Sequence, residues 1–91
     1  MAETQIIQVR YWAAAKSAAG TASDDLPVNG SMNLSEIRAE VVRRHPGTNL
    51  ASVLGVCSTL VGDQPVGTSD PESVLVAPGS TVEFLPPFAG G

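Results

Sequence analysis

The stretch from Asn33 to Pro46 constrains this chain most, because it joins helical period to helical punctuation. Asn33 is a favoured N-cap residue, and Glu36 three positions later completes the pattern of a capping box. Leu34, Ile37 and Val41 recur at helical spacing and form one apolar stripe. Arg43, Arg44 and His45 put positive charge where the helix dipole is negative, and Pro46-Gly47 stops the helix. The pattern predicts one main helix over Leu34 to Arg44, with a single face that the rest of the fold must cover.

Alternating segments supply that cover. Gln5 to Trp12 reads as a first strand, with Ile7, Val9 and Tyr11 on one face and Gln8 and Arg10 on the other. Ala13 to Ala19 is alanine-rich and ends at Gly20, which predicts a short helix. Thr21 to Asn29 holds a second strand around Leu26 and Val28, and Pro27 lacks a ladder donor, which puts that strand on an edge. Asn29-Gly30 is a turn signal. A helical turn falls within Asn49 to Gly55, and a strand over Val56 to Val61. Gly62-Asp63-Gln64-Pro65 is a turn before a short strand near Val66. Gly67 to Glu72 is a loop, and Ser73 to Val76 a turn or short strand. Pro78-Gly79 fits the centre of a type II turn. Thr81 to Leu85 is the last strand: Val82 and Phe84 face inward, towards Ile37 and Val41, and Leu85 faces the other way. This order predicts an α+β fold, a mixed sheet with one main helix packed on one face.

Size and charge narrow the function. A chain of 91 residues makes one domain, with little room for an enclosed active site beside its core. Five basic and nine acidic side chains give a net charge of −4, which argues against nucleic acid as a partner. After His45 there is no Lys or Arg, only Asp63, Asp70, Glu72 and Glu83. That acidic half suits a partner with a basic surface; solubility alone is the other reading. Cys57 is the single cysteine, so no internal disulfide exists, and its apolar surroundings predict a buried small hydrophobe. There is no Gly-rich phosphate loop and no Cys/His or carboxylate set for a metal. His45 reads as a helix-end residue with no nucleophile beside it. The opening residues carry no secretory signal and no segment is long enough to span a membrane, so a cytoplasmic location is expected.

What remains is the end of the chain. Gly90-Gly91 follows Leu85-Pro86-Pro87-Phe88-Ala89. Glycine lacks a Cβ and passes where other residues clash. Six residues from Pro86 to Gly91 reach roughly 20 Å when extended, enough to enter a partner's active site. A terminal carboxylate is a poor acyl donor until another enzyme activates it, which makes Gly91 the expected reactive group. Leu85 and Phe88, apolar beside that tail, form an expected docking patch.

With these elements placed, the chain resembles the MoaD/ThiS-like sulfur carriers, and among them the small subunits of molybdopterin synthase. The resemblance rests on two ends. Val9-Arg10-Tyr11-Trp12-Ala13-Ala14-Ala15-Lys16-Ser17-Ala18-Ala19-Gly20 is similar to the family's opening strand and its aromatic-Ala-x-x-(Arg/Lys)-x-x-x-Gly segment. Val82 to Leu85 followed by Pro86-Pro87-Phe88-Ala89-Gly90-Gly91 is similar to its closing strand and tail. One departure is Ala77-Pro78-Gly79-Ser80-Thr81-Val82, where many relatives carry Asp-Gly-Asp-x-Val.

The resemblance implies a β-grasp, ubiquitin-like domain over residues 1–85 and a flexible Gly-Gly tail over 86–91. It implies a non-catalytic carrier with no bound cofactor. An ATP-dependent adenylyltransferase would activate the Gly91 carboxylate, and sulfur transfer would leave a thiocarboxylate. The tail would then enter the large subunit of molybdopterin synthase and deliver sulfur to a pterin precursor. Gly91 would bear the sulfur and Gly90 would pass a narrow channel. Phe88 and Ala89 would line the insertion, Leu85 and Pro87 would lie at the interface, and Lys16 would face a partner or solvent. Carriers for thiamin or cysteine synthesis share this chemistry. A ubiquitin-like protein modifier uses the same terminus, and an inert β-grasp binding module would not use it at all.

Overall fold

The computed structural model describes residues 5–87. The chain runs β1 (Gln5–Tyr11), α1 (Ala14–Ala19), β2 (Ser23–Val28), β3 (Met32–Asn33), α2 (Leu34–Arg44), α3 (Leu50–Leu54), β4 (Ser58–Val61), β5 (Gln64–Pro65), a single 3-10 turn at Pro71–Ser73, β6 (Leu75–Val76) and β7 (Thr81–Leu85). Five strands form one mixed sheet in the order β2-β1-β7-β4-β5, and β3 pairs with β6 in a separate two-stranded ladder. Among the described residues only the β1–β7 pair is parallel; its register sets Val9 opposite Val82 and Tyr11 opposite Phe84.

Local chemistry accounts for the elements. In β1 the strict alternation buries Ile7, Val9 and Tyr11 and leaves Gln8 and Arg10 exposed. β2 lies on the sheet edge, where Pro27 sits opposite Ile6 and its missing N–H costs no ladder bond. The Asn33 side chain accepts from the Glu36 N–H at 2.8 Å, and the Asn33 N–H donates to Glu36 Oε1 at 2.9 Å. That reciprocal cap fixes the start of α2. Leu34, Ile37 and Val41 on its inner face are fully buried, in one cluster with Val82 and Phe84. α1 ends on Gly20, whose φ of 75° places it in the left-handed region and lets its N–H close on the Lys16 carbonyl.

Two sequence expectations are corrected. The strand expected from Val56 begins only at Ser58. The Val56 and Cys57 amides donate to Val53 and Leu54, so the end of α3 takes both residues into its closing turn. Cys57 is half-buried against the core rather than inside it, and burial pushes its thiol above the usual range, with Arg38 opposing. The strand expected near Val66 is Gln64–Pro65, which pairs with β4 through Leu60 and Val61.

Candidate functional site

The strand that leads toward the C-terminus lies in the middle of the sheet. β7 is held by β1 on one side and β4 on the other, with Thr59 and Tyr11 both opposite Phe84. Val82 and Phe84 are fully buried on the helix side. The Trp12 N–H donates to the Phe84 carbonyl at 3.1 Å, and the Gly62 N–H to the Thr81 carbonyl at 2.7 Å. Pairing then stops for a covalent reason. Pro86 and Pro87 have no N–H to give either neighbour. Leu85 and Pro86, each preceding a proline, are also confined to extended backbone. The last strand therefore hands over to a stiff, unpaired exit.

Of the residues expected at the site, Leu85 is half-buried on the outward face of β7, Pro87 is exposed, and Lys16 is exposed on α1. Phe88, Ala89, Gly90 and Gly91 lie outside the described residues. Lys16 is not grouped with Leu85 and Pro87. It joins Trp12 in lining two grooves, one of about 360 Å³ with Arg10 and Ser23, the other of about 640 Å³ with Ala13 and Thr21.

Trp12 links the outer faces of β1 and β7. Trp12 is 42% exposed, its Nε1–H donates to Glu83 Oε1 at 3.0 Å, and the Arg10 guanidinium lies 5.3 Å from the ring centroid. Such a cation–π contact at an exposed site is worth about 0.5–1 kcal/mol. Glu83 is thus engaged within the fold, which leaves Asp63, Asp70 and Glu72 as the acidic side chains of the second half that face solvent without a basic partner among the described residues.

The helix side holds a second cluster, unforeseen in the sequence. The Tyr11 hydroxyl donates to Asp24 Oδ2 at 2.7 Å, and His45 Nε2 lies 2.6 Å from the same oxygen. His45 is the C-cap of α2, so this carboxylate ties β1 and β2 to the end of the main helix. Burial above all, then the bond to Asp24 and its charge, holds the Tyr11 hydroxyl well above the usual tyrosine range; Arg44 opposes them. Tyr11 is only 2% exposed and bonds within the fold, so the cluster is a structural clasp. Spacings of 13 and 21 residues give no local signal. Among the described residues no group of three His, Cys, Asp or Glu side chains could hold a metal ion, and no helix is long and apolar enough to cross a membrane.

The architecture is shared with known proteins. Small archaeal modifier protein 1 from Methanosarcina acetivorans matches with a TM-score of 0.73 at 17% identity, over 99% of this chain and 100% of that one. Urm1 from Trypanosoma brucei matches with a TM-score of 0.71 at 17% identity, over the whole of both chains. The complex of subunits 1 and 2 of molybdopterin-converting factor from Helicobacter pylori matches with a TM-score of 0.62 at 26% identity, over 94% of this chain and 99% of that one. No curated protein matches the sequence. These likenesses identify the fold as the ubiquitin-like β-grasp expected from the two ends of the sequence. The ThiS family model matches residues 9–91, from the first strand through the tail. The chain belongs to the ThiS family of ubiquitin-like sulfur carriers.

Proposed function

We propose that this chain is a non-catalytic sulfur carrier that serves as the small subunit of molybdopterin synthase, with Gly91 as its loading point. The observation that carries the reading is the exit of the chain. A central strand clamped on both sides gives way at Leu85 to two exposed prolines that neither neighbour can pair. A rigid body with a stiff, projecting end suits a carrier that must present one atom inside another protein's site. The chemistry needs no catalytic group here. An ATP-dependent adenylyltransferase joins the Gly91 carboxylate to AMP, with loss of pyrophosphate. A sulfur nucleophile then attacks the acyl carbon, and AMP leaves with the bonding electrons. The product is a thiocarboxylate, a better acyl-level sulfur donor than the carboxylate.

Residues 1–85 are the folded body in this reading, and 86–91 the tail. Gly90, Ala89 and Phe88 thread the partner's channel, Pro87 and Leu85 meet its mouth, and Lys16 with exposed Trp12 offers a side contact. Support for the molybdopterin branch comes from the Pro-Pro-Phe-Ala-Gly-Gly ending and from the likeness to the Helicobacter pylori complex, whose two subunits are assembled together. The large subunit of molybdopterin synthase is accordingly the proposed partner. Threading in a water-poor channel protects the loaded end from hydrolysis.

Intact-protein mass spectrometry of the chain from its native cell tests the carrier chemistry: one oxygen replaced by sulfur at the C-terminus is expected, and is abolished when Gly91 is deleted. A pull-down with the loaded chain then separates the branches. Recovery of a molybdopterin synthase large subunit supports the reading; recovery of a thiazole or cysteine synthase moves the chain to a sister pathway. A ladder of lysine conjugates makes it a modifier.

A further inference from the structure

Among the described residues the five-stranded sheet ends at β2 on one side and at β5 on the other. An open strand edge is a template for a second chain, so the groups that face outward there decide whether the body stays alone. At β2 those groups follow from the ladder. The Gln8 and Trp12 amides donate toward β7, to the Ser80 and Phe84 carbonyls, whereas the Tyr11 amide donates to the Ala22 carbonyl just before β2. Alternation along β1 therefore turns the backbone groups of Ile7, Val9 and Tyr11 toward β2. Val9 lies opposite Asp24 and Ile7 opposite Leu26. The backbone groups of Ser23, Asp25 and Pro27 are left pointing away from the sheet.

Each of the three is obstructed. Pro27 has no N–H to offer. The Asp25 carbonyl accepts from Arg44 Nη1 at 3.3 Å, and the Ser23 carbonyl accepts from Thr21 Oγ1 at 3.2 Å. Arg44 is the last residue of α2 and also donates from Nε to Glu40 at 3.2 Å, so the helix end holds its guanidinium at the strand edge. The far edge uses the same covalent device. The Val66 amide donates to the Thr59 carbonyl at 3.0 Å, and alternation from that pair turns Pro65, opposite Leu60, outward. β5 is also only two residues long.

The occupant that the β2 edge would take is a second copy of the same strand, paired antiparallel about a two-fold axis. Centred on Asp25, that pairing sets two exposed carboxylates opposite each other, and like charges so placed are destabilising. It sets the Ser23 carbonyl of each copy against a proline nitrogen that cannot donate. It also displaces the Arg44 guanidinium of each copy from the Asp25 carbonyl. We propose that Thr21, Asp25, Pro27 and Arg44 form an edge guard that stops a second copy of this chain from adding to the sheet through β2. The guard does not depend on what Gly91 carries.

The test compares the full parent chain with the combined variant Thr21→Val, Asp25→Thr, Pro27→Val and Arg44→Ala. Sedimentation equilibrium gives the self-association constant of each, and amide hydrogen exchange locates the contact. The parent is expected to stay monomeric, with Ser23 and Asp25 amides that exchange quickly at every concentration. The variant is expected to self-associate roughly tenfold or more tightly than the parent, since a donor and a free acceptor are restored in each copy. Its Ser23 and Asp25 amides are expected to become protected as it does so. A folded variant that stays monomeric, or one that dimerises with those two amides still unprotected, would overturn the proposal. The parent decides the matter even where the variant fails to fold: protection of its Ser23 and Asp25 amides that grows with concentration means that the edge pairs and no guard exists.

Discussion

Tyr11 and Phe84 lie stacked across the one parallel strand pair of the sheet, ring centroids 6.3 Å apart and planes 13° apart. The pair joins the first strand to the strand that leads into the tail, and both rings are buried. Phe84 is the second-last residue before Pro86. Anchorage of the exit thus depends on a contact between residues far apart in sequence. Phe84→Leu keeps an apolar side chain but loses the stack and leaves space. The expected cost is about 1–2 kcal/mol, from the aromatic contact plus incomplete refilling. It would appear as a lower urea midpoint at unchanged slope; an unchanged midpoint would show that the stack adds nothing.

The other end of the Tyr11 ring carries a pH dependence. Its hydroxyl is held well above the ordinary tyrosine value, by burial first and by Asp24 next. An unfolded tyrosine loses its proton near about pH 10. Above that pH the unfolded chain sheds a proton that the folded chain keeps. The stabilisation is therefore complete below about pH 10 and declines by about 1.4 kcal/mol per pH unit above it. Tyr11 is the only tyrosine, so ultraviolet titration reads it alone. Tyrosinate absorbance is expected to rise only together with unfolding. Tyr11→Phe is expected to remove that alkaline slope while costing about 1 kcal/mol at neutral pH for the lost hydrogen bond. A tyrosinate signal in the folded protein near pH 10 would contradict the clasp.

Strain sits between β1 and α1. Ala13 has a φ of 50° and a ψ of −121°, the only positive φ at a non-glycine among the described residues. Ala13 also precedes α1 without any side-chain cap. Such a conformation costs a residue with a Cβ about 1–3 kcal/mol, against about 0.5–1 kcal/mol for the extra freedom of glycine when unfolded. Ala13→Gly is expected to stabilise by about 1 kcal/mol, seen as a higher thermal midpoint. A lower midpoint would mean that the turn carries no strain.

These features divide according to how far apart their causes lie in the chain. The α2 boundaries were readable because Asn33, Glu36, Leu34, Ile37 and Val41 act within a turn or two of one another, and the observed helix keeps those bounds. β7 was readable for the same reason, from alternation over Thr81 to Leu85. The Met32–Val76 and Asn33–Leu75 pairs were not, since a two-residue ladder has no period to detect. Val56 and Cys57 look strand-like in isolation, yet their amides close the turn after α3. Asp24, His45 and Tyr11 meet only because β2, α2 and β1 are already assembled. The engagement of Glu83 by Trp12 across 71 residues left no local signal either.

That engagement redirects the charge argument. Asp63 is exposed in the β4–β5 turn and bonds only to its neighbour Gln64, so it is a cleaner probe of steering than Glu83. If the partner presents a basic surface, Asp63→Lys should slow association several-fold at low salt, with the difference fading near 1 M salt as screening shortens to about 3 Å. Stopped-flow rates at two ionic strengths check this. Equal rates for both proteins at low salt would leave the acidic half with a role in solubility alone.

The two exposed prolines bear on binding rather than on folding. Pro86 and Pro87 add no N–H to either ladder, so replacing both with alanine removes no sheet bond. It does free two backbone torsions and the restriction on the residues before them. Each proline lowers the disorder of an unbound segment by about 0.4–1 kcal/mol, the range measured for folding. If the tail is ordered inside the proposed large subunit, the double variant loses about 1–2 kcal/mol of affinity, roughly 5- to 30-fold in Kd. Calorimetric titration with the large subunit gives the Kd, and a urea melt of the free chain is expected to be unchanged. Unchanged affinity with an unchanged melt would show that the exit is not threaded, and the carrier reading would lose its structural support.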